Sequence, residues 1–243
     1  MRPVTRFTAA RRLCLGVALF VAVAAVLPPL FGLARRYELV EALQFALFAM
    51  VVPSLLVVAA PWTKGSSGRL GGWADRVAAR RRHAEPAVSV LILGLYMAAV
   101  VAWRTPAAVD AIEAWPWLLA LEAVSLVAIG VAFWLELVEF DPLAARNRPL
   151  RRALLAATAM WTVWTISYLA GFSSTLWYTG FDHVAGRSLS VAADQQFSTG
   201  VLWVVAAVSF MPVLFWNLLA WLRSEEELGM GLPQSVAGQR PPG

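Results

Sequence analysis

Glu41 and Gln44 stand three residues apart at the start of one apolar stretch, Glu122 lies about six residues into another, and Asp194-Gln195-Gln196 opens a third. A charged group in hydrocarbon is costly and persists where it faces protein, water or a partner. These side chains can therefore bind a cation, ligate a metal, pass a proton or dock a polar surface. Glu41 and Gln44 share a helix face at i, i+3. Glu122 sits roughly 9 Å below its helix start at 1.5 Å per residue, too deep and too short to reach water comfortably. Plainer readings stand beside these. Asp194 can be an N-cap that satisfies free N–H groups at its helix start. Glu41 can snorkel to the interface, and Glu122 can be a hydrogen-bonded carboxyl of structural meaning only.

The elements that must position these groups are membrane spans. With 60% hydrophobic and 14% charged residues, no soluble core accounts for the chain. Six apolar stretches, Leu13–Leu33, Leu39–Ala60, Pro86–Trp103, Trp117–Val138, Ala153–Phe172 and Thr199–Leu222, each approach the ~20 residues that cross ~30 Å of hydrocarbon. The expected fold is all-α and polytopic, with residues 1–228 as one six-helix domain and 229–243 as a disordered cytoplasmic tail rich in Gly and Pro. The first stretch reads as a retained span, because it is too long for a signal-peptide core.

Orientation follows from the basic residues. Arg2, Arg6, Arg11 and Arg12 precede the first span, and Lys64, Arg69, Arg76, Arg80, Arg81 and Arg82 fill the second connection. Arg146, Arg148, Arg151 and Arg152 fill the fourth, and two more arginines follow the last span. The other connections hold Arg35, Arg36, Arg104 and Arg187 alone. The positive-inside rule places both termini in the cytoplasm and the stretches near Tyr37, Ala108 and Trp177–Ala193 outside. Three helices then deliver carboxylates and amides to one outer level. The same charges, next to anionic lipid, account for the pI near 10.1 without nucleic acid. The expected location is a bacterial cytoplasmic membrane, and the basic segment Trp73–Arg82 is a candidate amphipathic helix on its inner leaflet.

Other polar positions read as structural. Glu136, Glu139 and Asp141 precede Arg146 and Arg148, the pattern of interfacial charge pairing. Asn217 suits an interhelical hydrogen bond. Thr158, Thr162, Thr165 and Tyr168 recur at three and four residues beside Trp161 and Trp164, a stripe that packs on a neighbour with hydroxyls bonding backbone. Cys14 is single and forms no internal disulfide. Two histidines, His83 and His183, fall on opposite sides of the membrane and exclude a bis-histidine haem. A copper site at His183 with Asp182 and a distant Met is weakly supported. Metal candidates are thus Glu41, Glu122, Asp194 and His183, and no bound cofactor is expected. Walker, nucleophile-elbow, HExxH and dinucleotide motifs do not occur.

The second span, EALQFALFAMVVPSLLVVAAP, resembles the signature of the CtaG family of cytochrome c oxidase assembly factors, in which His-x-x-Gln-His leads into an apolar run with a Pro. LEAVSLVAIGVAFW resembles that family's Leu-Glu-His segment, and DQQFSTGVLWV its Asp-Gln-Gln motif; FSSTLWYTGF is similar to its outer aromatic segment. The resemblance implies a non-catalytic helper or accessory subunit of a haem-copper oxidase or other copper membrane enzyme. The family's motif histidines fall on Glu41, Phe45 and Ala123, while its Gln, Glu and Asp-Gln-Gln positions match Gln44, Glu122, Asp194, Gln195 and Gln196. Imidazole, the implied copper ligand, is lost at all three places. A small ion-coupled transporter using Glu41 and Glu122 is the other reading, with Pro28-Pro29 and Pro53 interrupting spans.

Overall fold

The computed structural model of the chain describes residues 4–62, 72, 76–79, 81, 87–138, 147–173, 175–183 and 188–230. All regular structure among them is helical. Helix α1 (Val4–Val26) and the short α2 (Leu30–Ala34) are separated by Leu27-Pro28-Pro29, so the expected first span is broken there. The two prolines supply no N–H to continue the helix, and the Pro28-Pro29 peptide is cis. The second span comprises α3 (Glu38–Ala46), a π-helical turn (Leu47–Val51) and α4 (Val52–Ala59). Pro53 causes this irregularity. Its missing N–H and its ring disturb the carbonyl four residues back, Ala49 O. That carbonyl accepts instead from the buried Tyr96 hydroxyl at 3.3 Å.

Helix α5 (Ala87–Trp103) ends in a 61° bend into α6 (Pro106–Ala114). Thr105 caps α6 by accepting the Ala108 N–H, and Pro106 takes the first helical position, where no donor is needed. The connection near Ala108 is therefore itself helical. Helices α7 (Leu118–Leu137) and α8 (Pro149–Gly171) follow, then a 3₁₀ turn (Thr179–His183) and α9 (Val191–Met230). Among the described residues five of these helical spans are long and apolar enough to cross a membrane, and counting the bent pair α5–α6 as one span gives six. The protein is a polytopic helical membrane protein. Its last helix starts eight residues earlier and ends eight residues later than the expected Thr199–Leu222. At 40 residues and roughly 60 Å it outreaches a bilayer. Residues 231–243 of the expected tail, and Trp73 of the candidate amphipathic helix, lie outside the described residues; Arg76–Ala79 of that helix is helical.

α9 packs along α8 and α3, α7 along α5 and α4, and α1 along α4. Aromatic rings tie the middle of the bundle together. Tyr96 stacks on Phe133 at 4.5 Å, and Phe210 meets Phe133 edge-on at 6.3 Å and stacks on Trp134 at 5.3 Å. The threonine stripe of α8 departs from expectation. Thr158, Thr165 and Tyr168 are exposed on the outside of the bundle, and Thr158 and Thr162 donate to their own backbone at Leu154 O and Thr158 O. A hydroxyl bonded to its own helix needs no partner helix.

A close helix crossing sits at Gly130 of α7. A Cβ there would stand 2.6 Å from Pro53 Cγ and 3.2 Å from Ala49 O. Neither a proline ring nor a backbone carbonyl yields easily, so Gly130→Ala is expected to cost about 1–3 kcal/mol by overpacking. Gly94, whose Cβ would meet nothing within 4 Å, is the control, with Gly94→Ala gaining up to ~1 kcal/mol in helix propensity. Unfolding of the detergent-solubilised variants reads both, and equal gains at the two sites would refute the tight crossing.

Candidate functional site

Polar groups from α3, the α5–α6 bend, α7 and α9 gather at the ends read as outward from the charge pattern. Glu41, on the first turn of α3, pairs with Arg104 Nη1 at 2.5 Å. Arg104 lies at the α5–α6 bend with its side chain 2% exposed. Its guanidinium sits between two rings, 4.8 Å from the centroid of Tyr178 and 5.3 Å from that of Phe45. A guanidinium taken out of water is stabilised by a carboxylate at hydrogen-bond distance and by aromatic faces, and this cage supplies both. Tyr178 is buried, and its hydroxyl donates to Arg104 O at 3.1 Å. Burial pushes that hydroxyl up to about 12, with the Arg104 charge acting against it, so it stays protonated and remains a donor.

Gln44, one turn below Glu41, turns its amide to the carbonyl of Ala25 near the end of α1. Glu122, 2% exposed on α7, faces the same space. Glu41, Gln44 and Glu122 therefore line one cavity of about 410 Å³, counted to its open mouth, together with Arg35, Glu113 and a wall of apolar side chains. Arg35 donates to Glu113 O at 2.8 Å within this lining.

Asp194 does different work from its expected role. Ser190 caps α9 by accepting the Ala193 N–H at 3.2 Å. Asp194, one turn on, is buried and reaches across to α3, where its two oxygens accept the N–H groups of Glu38 at 2.7 Å and Leu39 at 3.0 Å. The α3 N-terminus has no side-chain cap from its own segment, since Tyr37 occupies that position. The capping logic is right and its target is another helix. Glu38 lies beside it, buried, with Ser198 of α9 donating to its carboxylate at 2.5 Å. Gln195 staples the loop after α8 by donating to Ala170 O at 2.7 Å and accepting Trp177 N–H at 3.0 Å. Gln196 is exposed and joins neither group. The His183 side chain lies outside the described part of the structure.

Thus Glu41, Gln44 and Glu122 converge at the cavity, Asp194 and Gln195 bind α9 to its neighbours, and Gln196 stands apart. Three residues essential to this geometry escaped the sequence reading. Glu38 is three residues before Glu41 and completes its face. Arg104 is the single basic residue of its outward connection, an isolated charge at a span end. Tyr178 lies in an aromatic segment that reads as an interfacial belt.

The opposite end holds a second polar group. Glu136 is fully buried on α7, accepts from Ser89 Oγ at 2.8 Å and Asn147 Nδ2 at 3.2 Å, and pairs with Arg81 at 3.1 Å. Glu136 is buried rather than interfacial, and Arg81 of the preceding basic segment reaches it. Glu139, Asp141 and Arg146 lie outside the described residues. Asn217 of α9 donates to Leu137 O of α7 at 3.4 Å, the expected link between helices.

Among the described residues no three His, Cys, Asp or Glu side chains converge as a metal-binding group. The donor chemistry of the outer site does not fit copper. Glu41 is engaged by Arg104, Phe45 and Ala123 offer no ligand atom, and the guanidinium adds a fixed positive charge beside the one acidic side chain at these three positions. Among known families, the one described as cytochrome c oxidase caa3 assembly factor (Caa3_CtaG) matches the chain over residues 1–224. No curated protein and no solved structure matches.

Proposed function

The chain belongs to the CtaG family of cytochrome c oxidase caa3 assembly factors, and from that premise we propose that it supports assembly of a haem-copper oxidase without catalysis and without passing copper through its outer site. The observation that carries this reading is the Arg104 cage. It links α3, the α5–α6 bend and the outer loop through Glu41, Phe45 and Tyr178, and so gives the outward end a fixed shape. A preorganised polar surface suits docking, because little side-chain freedom is lost when a partner binds. The protein acts from a bacterial cytoplasmic membrane with both termini inside, and it serves as a transient assembly factor or as a retained accessory subunit of the oxidase.

Purification of a tagged full-length chain from its own membrane in mild detergent tests this. Oxidase subunits in equal amount identify an accessory subunit, and substoichiometric immature oxidase identifies a transient factor. Absence of any oxidase subunit, together with an unchanged oxidase haem spectrum in membranes from cells lacking the chain, would defeat the proposal. Transport through Glu41 and Glu122 is the second reading, suggested by the break at Leu27–Pro29 and the π turn at Leu47–Val51. Glu41 is already neutralised by Arg104, which leaves Glu122 to carry it. Ion flux in proteoliposomes that disappears in Glu122→Gln would favour transport over docking.

A further inference from the structure

We infer that the outer cavity is a binding site for a small organic ammonium ion, with Glu122 as its anionic anchor. This stands independently of the oxidase reading. Glu122 is 2% exposed, lines the cavity, and has one carboxylate oxygen, Oε1, with no hydrogen-bonding partner among the described residues. A buried acceptor left unsatisfied is costly, more so when it is charged, and N–H donors relieve that cost best.

Of the other charged groups in the lining, Glu41 faces Arg104, and Arg35 donates to the backbone of Glu113. The walls between them are apolar, with Phe31, Leu119 and Phe181 on different elements. The space combines an apolar wall with a buried carboxyl oxygen that has no hydrogen-bonding partner among the described residues.

Ligand class follows by comparison. A hard metal ion needs six or more converging oxygens, and no such group forms here among the described residues. An anion would meet the carboxylates of Glu41, Glu113 and Glu122 in the same lining. A primary ammonium on a short alkyl stem meets both requirements. Its N–H groups donate to Glu122, and its methylenes lie along the apolar wall. Two sources carry that chemistry, a soluble primary amine and the ethanolamine headgroup of a lipid, the latter because the cavity opens at the outer ends of the spans.

The test uses the full-length protein in detergent, titrated with butylammonium chloride against matched sodium chloride and followed by tryptophan fluorescence and thermal stability. Saturable binding of butylammonium is expected, with no response to 1-butanol. Glu122→Gln should weaken apparent affinity roughly ten-fold or more, the worth of one charge-assisted hydrogen bond. Ile112→Trp fills the cavity wall without removing a carboxylate and should abolish binding. It decides the matter alone if Glu122→Gln is not monodisperse. Wild-type affinity in Ile112→Trp, or equal effects of sodium and butylammonium, overturns the site. Native mass spectrometry of protein extracted from vesicles of equal phosphatidylethanolamine and phosphatidylcholine then separates the sources. Retained phosphatidylethanolamine assigns the lipid headgroup, and no preference between the lipids assigns a soluble amine.

Discussion

Replacement of Arg104 by methionine is expected to cost about 3–5 kcal/mol, because it leaves the Glu41 carboxylate in a largely closed site without its countercharge. Against a total stability of roughly 5–15 kcal/mol, that loss suffices to unfold much of the population. Loss of the cation–π contacts with Phe45 and Tyr178 adds to it, each weaker than the ion pair. The double variant Arg104→Met with Glu41→Gln should recover most of the deficit, since neutralising both partners removes the orphaned charge instead of exposing it. Denaturant unfolding of the four proteins in detergent measures the coupling directly. A single variant as stable as wild type would show that the pair carries no structural weight. A double variant no better than Arg104→Met would show that the arginine acts through packing alone.

Asp194→Ala is expected to cost about 2–4 kcal/mol. Two buried charge-assisted hydrogen bonds to the N–H groups of Glu38 and Leu39 disappear together, and α3 loses the side-chain cap that α9 supplies. Asp194→Asn retains one carbonyl oxygen and should lose about half as much. The neighbouring Gln196→Ala is the comparison, because Gln196 is exposed and its removal should stay within about 0.5 kcal/mol. Thermal unfolding in detergent separates them, and equal melting temperatures for Asp194→Ala and Gln196→Ala would refute the bridging role. The same pair bears on function. If α3 is held in place by α9, loosening Asp194 should also lower the oxidase that accompanies the protein in purification, while Gln196→Ala leaves it unchanged.

Glu122 shows how much of the site was legible and where legibility stopped. A short acidic side chain six residues into an apolar run is conspicuous in any sequence, because the cost of burying it is large whatever surrounds it. That it faces Glu41 and Gln44 across a cavity depends on α7 and α3 lining a common space, which span order does not dictate. Arg104 lay on the other side of the same boundary. Its counterpart Glu41 is 63 positions away, and among the arginines of the chain nothing local marked it as caged.

The helix interruptions were partly readable, for a related reason. Pro28, Pro29 and Pro53 announce missing donors, and a missing donor must disturb a helix. Whether the disturbance becomes a full break, as at Leu27–Pro29, or a π turn, as at Leu47–Val51, depends on what satisfies the freed carbonyl. At Ala49 that group is the Tyr96 hydroxyl from another span.

What the sequence by itself determined is the membrane architecture: helices of spanning length, their alternating direction, the end at which the polar residues collect, and the likeness to a family of oxidase assembly factors. Length and charge asymmetry fix these because transfer into hydrocarbon and the positive-inside bias act on each segment separately. Only the tertiary structure decided that Asp194 caps α3, that Gln196 faces outward, that Arg81 reaches Glu136, and that the Arg104 guanidinium lies against the Phe45 and Tyr178 rings. Those outcomes belong to pairs of residues brought together by helix packing, and a hydrogen bond or ion pair formed across two helices leaves no periodic trace in either one.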